Sequence, residues 1–337
     1  MKIKSLDFNK WHIIILCACF ILILLSFSKF QNGNPDNDYQ NVFKKSYKIL
    51  SPYIPTKIEF AGEKVPLELF YVKESLEREL IVNTYWQSNT LLMIKRANRF
   101  FPIIENILKE NNIPDDFKYL ALIESNFDNV VSPAGATGFW QFMKEIAKKY
   151  GLEITDEIDE RYNLEKATSA ACKYLKELYR TFGSWTNTAA AYNLGSTKFN
   201  EIITTQKTNN YYFMSLNNET SRYIYRILAV KIILSNPSKY GFYLRKKDLY
   251  YPIPITKYSI DTTINNLADF AIKMKASYKI LKIFNPWLRK NSLTNPNKKN
   301  YIICLPTDSS IYTDKILKIY EDDYFIINDT LTIDQLR

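Results

Sequence analysis

The stretch from Tyr119 to Phe127, YLALIESNF, places a single carboxylate, Glu124, at the end of an apolar run. Pro114 and two aspartates precede this run, an order that favours a helix N-terminus because proline fits the first turn and acidic side chains suit the helix dipole. At helical spacing the glutamate shares one face with three apolar residues, Phe117, Leu120 and Ala121. The segment therefore predicts a helix that carries a glutamate on its buried side.

A glutamate on a buried helix face can be ion-paired, hydrogen-bonded as a neutral acid, or functional. Desolvation disfavours the charged carboxylate and raises its pKa. A carboxyl group with a raised pKa suits proton donation near neutral pH, as in general acid catalysis on a glycosidic oxygen. Structural ion pairs perturb pKa values as well, so the helix alone leaves a structural and a catalytic interpretation open.

Helical periodicity extends over most of the chain. Residues 67–111 have apolar side chains at helical spacing and no glycine or proline before Pro102. A longer helix is predicted from about Leu164 to Phe182, a short one that ends at Gly195, and another that stops before Pro237. We therefore expect a mainly α domain with short connections.

A small strand–helix–helix–strand module is predicted after the helical part. Prolines and alternating apolar residues indicate a strand in residues 250–260, and helical periodicity follows from Ile264 to Phe284. The run YIICLP, residues 301–306, indicates a second strand. The last thirty residues, with the run DYFIINDTLTIDQLR at residues 323–337, suggest a short strand and a tail.

The N-terminus has the features of an export signal. Lys2, Lys4 and Lys10 precede the apolar run WHIIILCACFILILLSF, which is 17 residues long. This length is short for a spanning helix, so an uncleaved membrane anchor, a cleaved signal peptide and a lipoprotein signal near Cys19 all remain open. Each of them places the rest of the chain in the cell envelope, on the periplasmic side.

Composition excludes several classes of site. The only histidine, His12, lies in the apolar N-terminal run, which excludes serine–histidine and cysteine–histidine catalysis and most zinc sites; no metal or other cofactor is expected. Cys172 and Cys304 are too separated for a disulfide framework and are expected to be ordinary thiols. The net charge of +10 is scattered along the chain, which disfavours a nucleic-acid partner and fits an anionic polymer, a membrane or a merely soluble surface.

Four blocks of sequence carry a resemblance to a known family. They are Glu124-Ser125, SPAGATGFWQFM (Ser132 to Met143), AAAYNLG (Ala189 to Gly195) and ETSRYI (Glu219 to Ile224). In order and spacing they resemble the signature blocks of the soluble-lytic-transglycosylase (SLT) catalytic domain, and they look most like the membrane-bound lytic murein transglycosylase D type. The resemblance covers about residues 65–245.

This resemblance implies a goose-lysozyme-like helical fold that cleaves the β-1,4 bond between N-acetylmuramic acid and N-acetylglucosamine in peptidoglycan. Glu124 would be the sole catalytic acid and then the base, so that the muramyl 6-hydroxyl closes a 1,6-anhydro ring. Peptidoglycan glycan strands are the implied partner and cell-wall remodelling the implied process. Two alternatives stay open: a muramidase of the same fold, which would need a second carboxylate such as Asp128 or Asp156, and a non-catalytic peptidoglycan-binding scaffold.

The resemblance also assigns residues around the acid. Ser125 would help to orient Glu124, and the hydroxyl of Tyr192 would hydrogen-bond Glu124 or the substrate. The other substrate-binding candidates come from the same blocks and are Ser132, Gln141, Met143, Asn193, Glu219 and Tyr223. Leu194 and Phe139 depart from the residues usual in the family, which bears on the width of the cleft.

These observations divide the chain into four parts. Residues 1–30 are the signal peptide or membrane anchor, 31–64 a linker and N-terminal extension, and 65–245 the catalytic domain with its helical lead-in. Residues 246–337 resemble a degenerate LysM unit with a tail, recognisable in NPWLRKN and YIICLP but lacking the usual turn glycines. Whether this LysM-like module binds glycan or only packs is left open by the sequence.

Overall fold

The computed structural model describes residues 49–307 and 310–320, together with Asn37, Gln40, Asn41 and Lys44. The chain forms two compact units, residues 1–51 and 52–337, and every element named below lies in the second. The expected N-terminal signal or anchor and the strand and tail expected within residues 323–337 lie outside the described residues. Within the described part of the chain, no helix is long and apolar enough to cross a membrane.

The second unit is mainly helical up to its C-terminal module. A short hairpin, β1 (Glu59–Phe60) and β2 (Glu63–Lys64), precedes the helices. The helices are α1 (Phe70–Tyr85), α2 (Gln87–Glu110), α3 (Phe117–Ser125), α4 (Lys144–Lys149), α5 (Leu164–Phe182), α6 (Trp185–Leu194), α7 (Ser196–Gln206) and α8 (Asn218–Ser235). The prediction of a mainly α domain is confirmed, and α5 has the predicted bounds.

Helix α3 is buried on almost all sides, where the sequence predicted one buried face. All residues from Phe117 to Ile123 are buried, because α3 packs between α2 and α8. The helix also begins later than predicted, at Phe117, since the N–H groups of residues 117–119 bond to the carbonyls three residues back in a tighter turn. Asp116 is used elsewhere: it accepts a hydrogen bond from the Ala61 N–H at 2.6 Å and pairs with Lys231 at 2.7 Å.

Helix α8 packs against α1, α3 and α6. Its predicted core residues, Tyr223, Ile227, Val230 and Leu234, are buried. The side chain of Asn217 caps the helix by accepting from the Thr220 N–H at 2.9 Å. Arg222 joins α8 to α1 through an ion pair with the buried Glu79 at 2.7 Å. These contacts hold α8 in place behind the end of α3.

Helix α6 is held at its N-terminus by the hairpin. The carboxylate of Glu63 accepts hydrogen bonds from the backbone N–H groups of Trp185, at 2.6 Å, and Thr186, at 2.9 Å. A negative acceptor at this end satisfies free N–H groups and suits the helix dipole. The helix ends at Gly195, as predicted, with a φ of +91° that favours glycine.

The C-terminal module has its own small core. Strand β3 (Ile255–Ile260) pairs antiparallel with β4 (Tyr301–Pro306), and α9 (Leu267–Lys273) and α10 (Tyr278–Phe284) lie between them in sequence. This confirms the predicted strand–helix–helix–strand order. Its core includes Leu267, Leu281, Trp287, Leu288, Leu293 and Ile303. A further helix, α11 (Thr313–Ile319), follows β4 where no helix was expected.

Candidate active site

Glu124 lies at the C-terminal end of α3, where this buried helix reaches the surface. Asn126 and Phe127 follow with φ angles of 52° and 50°, in the left-handed region, so the chain turns away directly after the helix. The side chain of Glu124 is half-buried and faces α8, and its carboxylate accepts a hydrogen bond from the hydroxyl of Tyr223. The fold thus exposes one carboxyl group at the end of an otherwise buried helix.

Its surroundings raise the pKa of the Glu124 carboxyl group from 4.5 to about 7. Desolvation is the main cause, because burial penalises the charged form. The hydrogen bond from Tyr223 and the positive charge of Arg226 oppose the rise, and the negative charge of Glu219 adds to it. Near neutral pH both protonation states are therefore populated, which suits a group that donates a proton and later accepts one.

Tyr223 acts on Glu124 and is too buried to contact a ligand, with 1% of its surface exposed. Burial raises the pKa of its hydroxyl well above 10, so it remains a donor. Sequence reasoning placed Tyr223 among the substrate-binding residues. The structure corrects this: α8 packs against α3, which directs the ring into the core and only the hydroxyl toward the site.

Tyr192 lies close enough to Glu124 for an electrostatic interaction, but its hydroxyl bonds to a backbone carbonyl. Its hydroxyl donates to the carbonyl of Trp140 at 2.7 Å, and it is Tyr223 that donates to Glu124. The ring of Tyr192 packs against Trp140, Phe142 and Tyr174 at centroid distances of 5.3 to 6.5 Å. The hydrogen bond to the Trp140 carbonyl gives the Tyr192 hydroxyl a partner and links α6 to the loop before α4.

Ser125 is buried, and its hydroxyl is engaged away from Glu124. It donates to the Phe139 carbonyl at 3.0 Å and accepts from the Phe127 N–H at 3.2 Å. Ser125 therefore fixes the end of α3 against the neighbouring loop. Any influence on Glu124 is exerted through the backbone of the helix end, and substrate contact is not available to it in this conformation.

The loop from Val130 to Met143, called the cleft loop below, carries three of the predicted substrate-binding residues. Gln141 has a φ of 46°, and its side-chain amide donates to two loop carbonyls, those of Gly138 at 2.7 Å and Val130 at 3.2 Å. The hydroxyl of Ser132 accepts from the Ala136 N–H at 3.0 Å. Both residues thus shape the loop, while Met143 is 46% exposed.

Asn193 and Glu219 connect the end of α6 with the start of α8 beside the acid. The Asn193 amide donates to Glu219 Oε1 at 3.1 Å, and its oxygen accepts from the Thr220 hydroxyl at 2.8 Å. These contacts bring together Asn193 and Glu219, which belong to the third and fourth sequence blocks. Glu219 itself is exposed.

Two cavities meet at this pair of residues. One, of about 390 Å³, is lined by residues of α6 and the cleft loop, including Gln141, Met143, Tyr192 and Asn193. The other, of about 340 Å³, is lined by Trp86, Glu219 and Arg226, among others. Asn193 lines the first cavity and Glu219 the second, and the hydrogen bond between them places the two cavities next to each other; together we call them the groove. Glu219 and Arg226, which line the second cavity, interact electrostatically with Glu124. A larger cavity, of about 590 Å³, lies against the C-terminal module and contains none of the candidate site residues.

Sequence reasoning missed two residues of this groove. Trp86 is the single residue between α1 and α2 and is 59% exposed. Because it stands in a break between helices, periodicity does not assign it to a face. Arg226 donates to the Ile123 carbonyl at 3.2 Å. Its position three residues after Tyr223, on the same face of α8, is the signal that could have found it.

The family comparisons agree with this geometry. Residues 101–214 match the model of the transglycosylase SLT domain, and residues 256–309 match that of the soluble lytic transglycosylase C-terminal LysM-like domain. The first match contains Glu124, the cleft loop and the Ala189–Gly195 block. The chain therefore carries an SLT domain followed by a LysM-like domain, which confirms the resemblance found in its sequence.

Among curated proteins the chain is similar to membrane-bound lytic murein transglycosylase D of Escherichia coli. The identity is 29% over 228 residues for strain K12, covering 66% of this chain and 49% of that protein, and the same values hold for a strain of serotype O6:H1. An Alteromonas protein named for tributyltin chloride resistance is 31% identical over 113 residues, 33% of this chain and 55% of its own length. The chain thus spans about half the length of the curated relatives it matches.

Proposed function

We propose that this protein is a peptidoglycan lytic transglycosylase, which cleaves the β-1,4 bond between N-acetylmuramic acid and N-acetylglucosamine and leaves a 1,6-anhydro end. The observation that carries the proposal is the half-buried Glu124, whose pKa is raised to about 7 and whose electrostatic neighbours Glu219 and Arg226 line the groove. The SLT domain and the similarity to a lytic murein transglycosylase support this class of enzyme.

In the first step Glu124 acts as the general acid. Its proton passes to the glycosidic oxygen, the bond from that oxygen to C1 of the muramyl sugar breaks, and the bonding electron pair leaves with the oxygen. The N-acetyl group of the muramyl sugar stabilises the positive charge at C1, as in other substrate-assisted glycosidases. Tyr223 and Arg226 stabilise the carboxylate that forms, because both lower the pKa of Glu124.

In the second step the ionised Glu124 acts as the base. It takes the proton of the muramyl 6-hydroxyl, whose oxygen bonds to C1 and closes the anhydro ring. Glu124 is protonated again, no water is consumed and no covalent bond to the enzyme forms. A pKa near neutrality lets one carboxyl group perform both transfers with little cost in either direction.

We propose that the groove holds the glycan strand on both sides of the cleaved bond. The exposed indole of Trp86 offers a flat apolar surface for a sugar ring on one side. Gln141, Met143 and Asn193 line the other side. In this assignment Ser132 supports the cleft loop, Glu219 contacts substrate or holds Asn193, and Tyr192 supports the floor of the groove.

A hydrolytic muramidase would need a second carboxylate positioned on a water molecule. The two candidates from the sequence are poorly suited to this role, because Asp128 pairs with Arg96 at 3.1 Å and Asp156 is exposed on another loop. Glu219 affects the pKa of Glu124 but is itself hydrogen-bonded to Asn193. None of these observations favours hydrolysis over anhydro-ring formation.

The test is digestion of purified peptidoglycan, followed by mass spectrometry of the released muropeptides. Anhydromuramyl products, lighter by one water than hydrolytic ones, are expected from the wild type and not from Glu124→Gln, which keeps the shape and loses the transferable proton. Sedimentation with peptidoglycan is the control that the variant still binds. Reducing ends would identify a muramidase, and binding without release would identify a scaffold; either result would refute the proposal.

We also propose that residues 65–245 form the catalytic domain, that residues 246–337 form the LysM-like module and its tail, and that residues 1–30 export or anchor the chain. The E. coli relatives are named membrane-bound, which supports a place in the cell envelope. Fractionation of cells that express the full chain, with and without residues 1–30, tests this location. Recovery of both forms in the same soluble fraction would contradict it.

A further inference from the structure

A short segment of the SLT domain, Glu153 to Tyr162, joins that domain to the C-terminal module; we call it the bridging segment. Ile158 forms an antiparallel bridge with Leu288, and the Asp159 N–H donates to the Trp287 carbonyl at 2.9 Å. The side chain of Ile158 is 2% exposed and belongs to the core of the module. The bridging segment therefore completes the fold of the module.

Side chains strengthen this connection at both ends of the segment. The Glu157 carboxylate accepts from the Thr294 N–H at 2.7 Å and from the Ser292 hydroxyl. Glu153 accepts from the Tyr301 hydroxyl at 3.1 Å. The segment is thus hydrogen-bonded to the module through backbone and side chains, which is more than a flexible tether would provide.

On its other side the bridging segment contacts the cleft loop through Arg161. The Arg161 guanidinium forms a two-point ion pair with Asp159, at 2.9 and 2.7 Å, and its remaining terminal nitrogen donates to the carbonyls of Gly135 and Phe142, both at 3.1 Å. The side chains of Arg161 and Asp159 are each about one tenth exposed. A planar guanidinium can make these contacts at once, whereas a lysine ammonium cannot reproduce the fork.

We infer that Arg161 is a positioning residue for the cleft loop and that the LysM-like module, by holding Asp159, sets the shape of the groove. The connection runs from the Trp287 carbonyl through Asp159 and Arg161 to two loop carbonyls on either side of Gln141. Its links are largely shielded from water, which cannot easily replace them. Arg161 makes no contact with Glu124, so its role concerns substrate binding and not the acid.

The experiment compares variants of the full chain. Asp159→Asn combined with Arg161→Met removes both buried charges together, since removing one alone would leave an unpaired buried charge and risk misfolding. Glu157→Ala weakens the attachment of the module without touching Arg161. Asp248→Ala is the matched control, because Asp248 likewise accepts one backbone and two side-chain hydrogen bonds, but from Arg245, outside the bridging segment.

Two measurements decide the inference: steady-state kinetics on soluble, uncrosslinked glycan strands, which rest on the proposed function, and hydrogen exchange, which does not. The double variant and Glu157→Ala should each raise KM about tenfold and leave kcat and the alkaline limb of the pH profile unchanged. Amides of residues 130–143 should exchange faster in both, and those of α8 should not. Asp248→Ala should match the wild type.

The inference is wrong if the double variant lowers kcat at constant KM, which a merely structural role would produce. It is also wrong if Glu157→Ala leaves exchange in the cleft loop as in Asp248→Ala, because the module would then not act on the loop. If the wild type releases no muropeptides, the proposed function fails, and the exchange data alone decide whether the module holds the loop.

Discussion

At the residue scale, the chemistry of the site depends on opposing influences on one carboxyl group. Burial raises the pKa of Glu124, while Tyr223 and Arg226 lower it, and the result lies near 7. Burial alone would keep the carboxyl group protonated and would make the carboxylate form costly. The hydrogen bond from Tyr223 stabilises the ionised form that the second proton transfer requires.

Replacing Tyr223 by phenylalanine tests this balance, because it removes the hydroxyl and keeps the ring. The carboxylate loses a stabilising hydrogen bond, so the pKa of Glu124 should rise further and the alkaline limb of the pH–rate profile should move to higher pH. The loss of one hydrogen bond should lower kcat roughly tenfold. Tyr225→Phe, on the same helix, is the control. An alkaline limb that stays at the wild-type position in Tyr223→Phe would contradict the assignment of Tyr223 as a group that lowers the pKa of Glu124.

The Glu124→Gln variant should also change how stability depends on pH. The pKa of Glu124 is about 7 in the folded protein, above its ordinary 4.5, so the unfolded chain loses this proton first. The stability contribution of the protonated acid is complete below about pH 4 and is lost as the pH rises to 7. The free energy of unfolding of the variant, relative to that of the wild type, should therefore rise by about 1–3 kcal/mol between pH 4.5 and 7. This range is smaller than the full pKa shift would give, because Glu124 is partly exposed to solvent. Denaturant titrations at several pH values measure the difference, and a constant difference would refute the raised pKa.

At the element scale, the cleft loop is held from three directions. Ser125 at the end of α3 bonds to the Phe139 carbonyl, Tyr192 of α6 bonds to the Trp140 carbonyl, and Arg161 bonds to the Gly135 and Phe142 carbonyls. The loop therefore has little freedom, although it forms no regular element. The loop contains Gly135 and Gly138, both at positive φ, but only at Gly138 would an added Cβ meet a neighbouring atom. Substitutions at the two positions can therefore separate backbone strain from packing.

Alanine substitution at these glycines should give unequal losses of stability. Gly135 has a φ of +86° and no atom within 4 Å of an added Cβ, so Gly135→Ala should cost about 1–2 kcal/mol from backbone strain alone. Gly138 has a φ of +77°, and an added Cβ would lie 2.1 Å from the Arg161 carbonyl oxygen. Gly138→Ala should therefore cost at least roughly 2 kcal/mol more. Denaturant unfolding measures both, and equal losses would mean that the loop yields without moving Arg161.

At the scale of the whole molecule, the described residues of the second unit form two hydrophobic cores, and the bridging segment contributes to both. Ile158 belongs to the core of the LysM-like module, while Ile154, four residues earlier, packs against the core of the helical domain. The module is thus packed onto the helical domain. Of the two roles that the sequence left open, glycan binding and packing, these contacts show packing.

Ile158→Ala tests the dependence of the module on this segment. The change leaves a void in the small core and should cost about 2–4 kcal/mol, with faster hydrogen exchange in β3 and β4. Ile154→Ala, which is half-buried in the other core, is the control and should leave exchange in these strands unchanged. Unaltered exchange in Ile158→Ala would show that the module folds without the bridging segment.

Periodicity predicted helices such as α5, which buries one side, because the apolar residues of α5 recur at helical spacing. It was wrong about the environment of α3, which lies between other helices and is buried all round. The short α4 and α11 were not predicted, since six or seven residues carry too little pattern to indicate a helix. For the site, local motifs supplied the candidate residues, and the structure supplied the contacts that each of them makes.

The sequence by itself determined the class of domain and the candidate acid, because the four blocks and the apolar run before Glu124 are local patterns of residue type and spacing. Only the tertiary structure decided that Tyr223, 99 positions away, donates to Glu124, and that Tyr192 and Ser125 hold the cleft loop instead. It also decided that Ile158 completes the core of the LysM-like module. These contacts depend on side-chain direction and on how helices distant in sequence pack together, and spacing along the chain specifies neither.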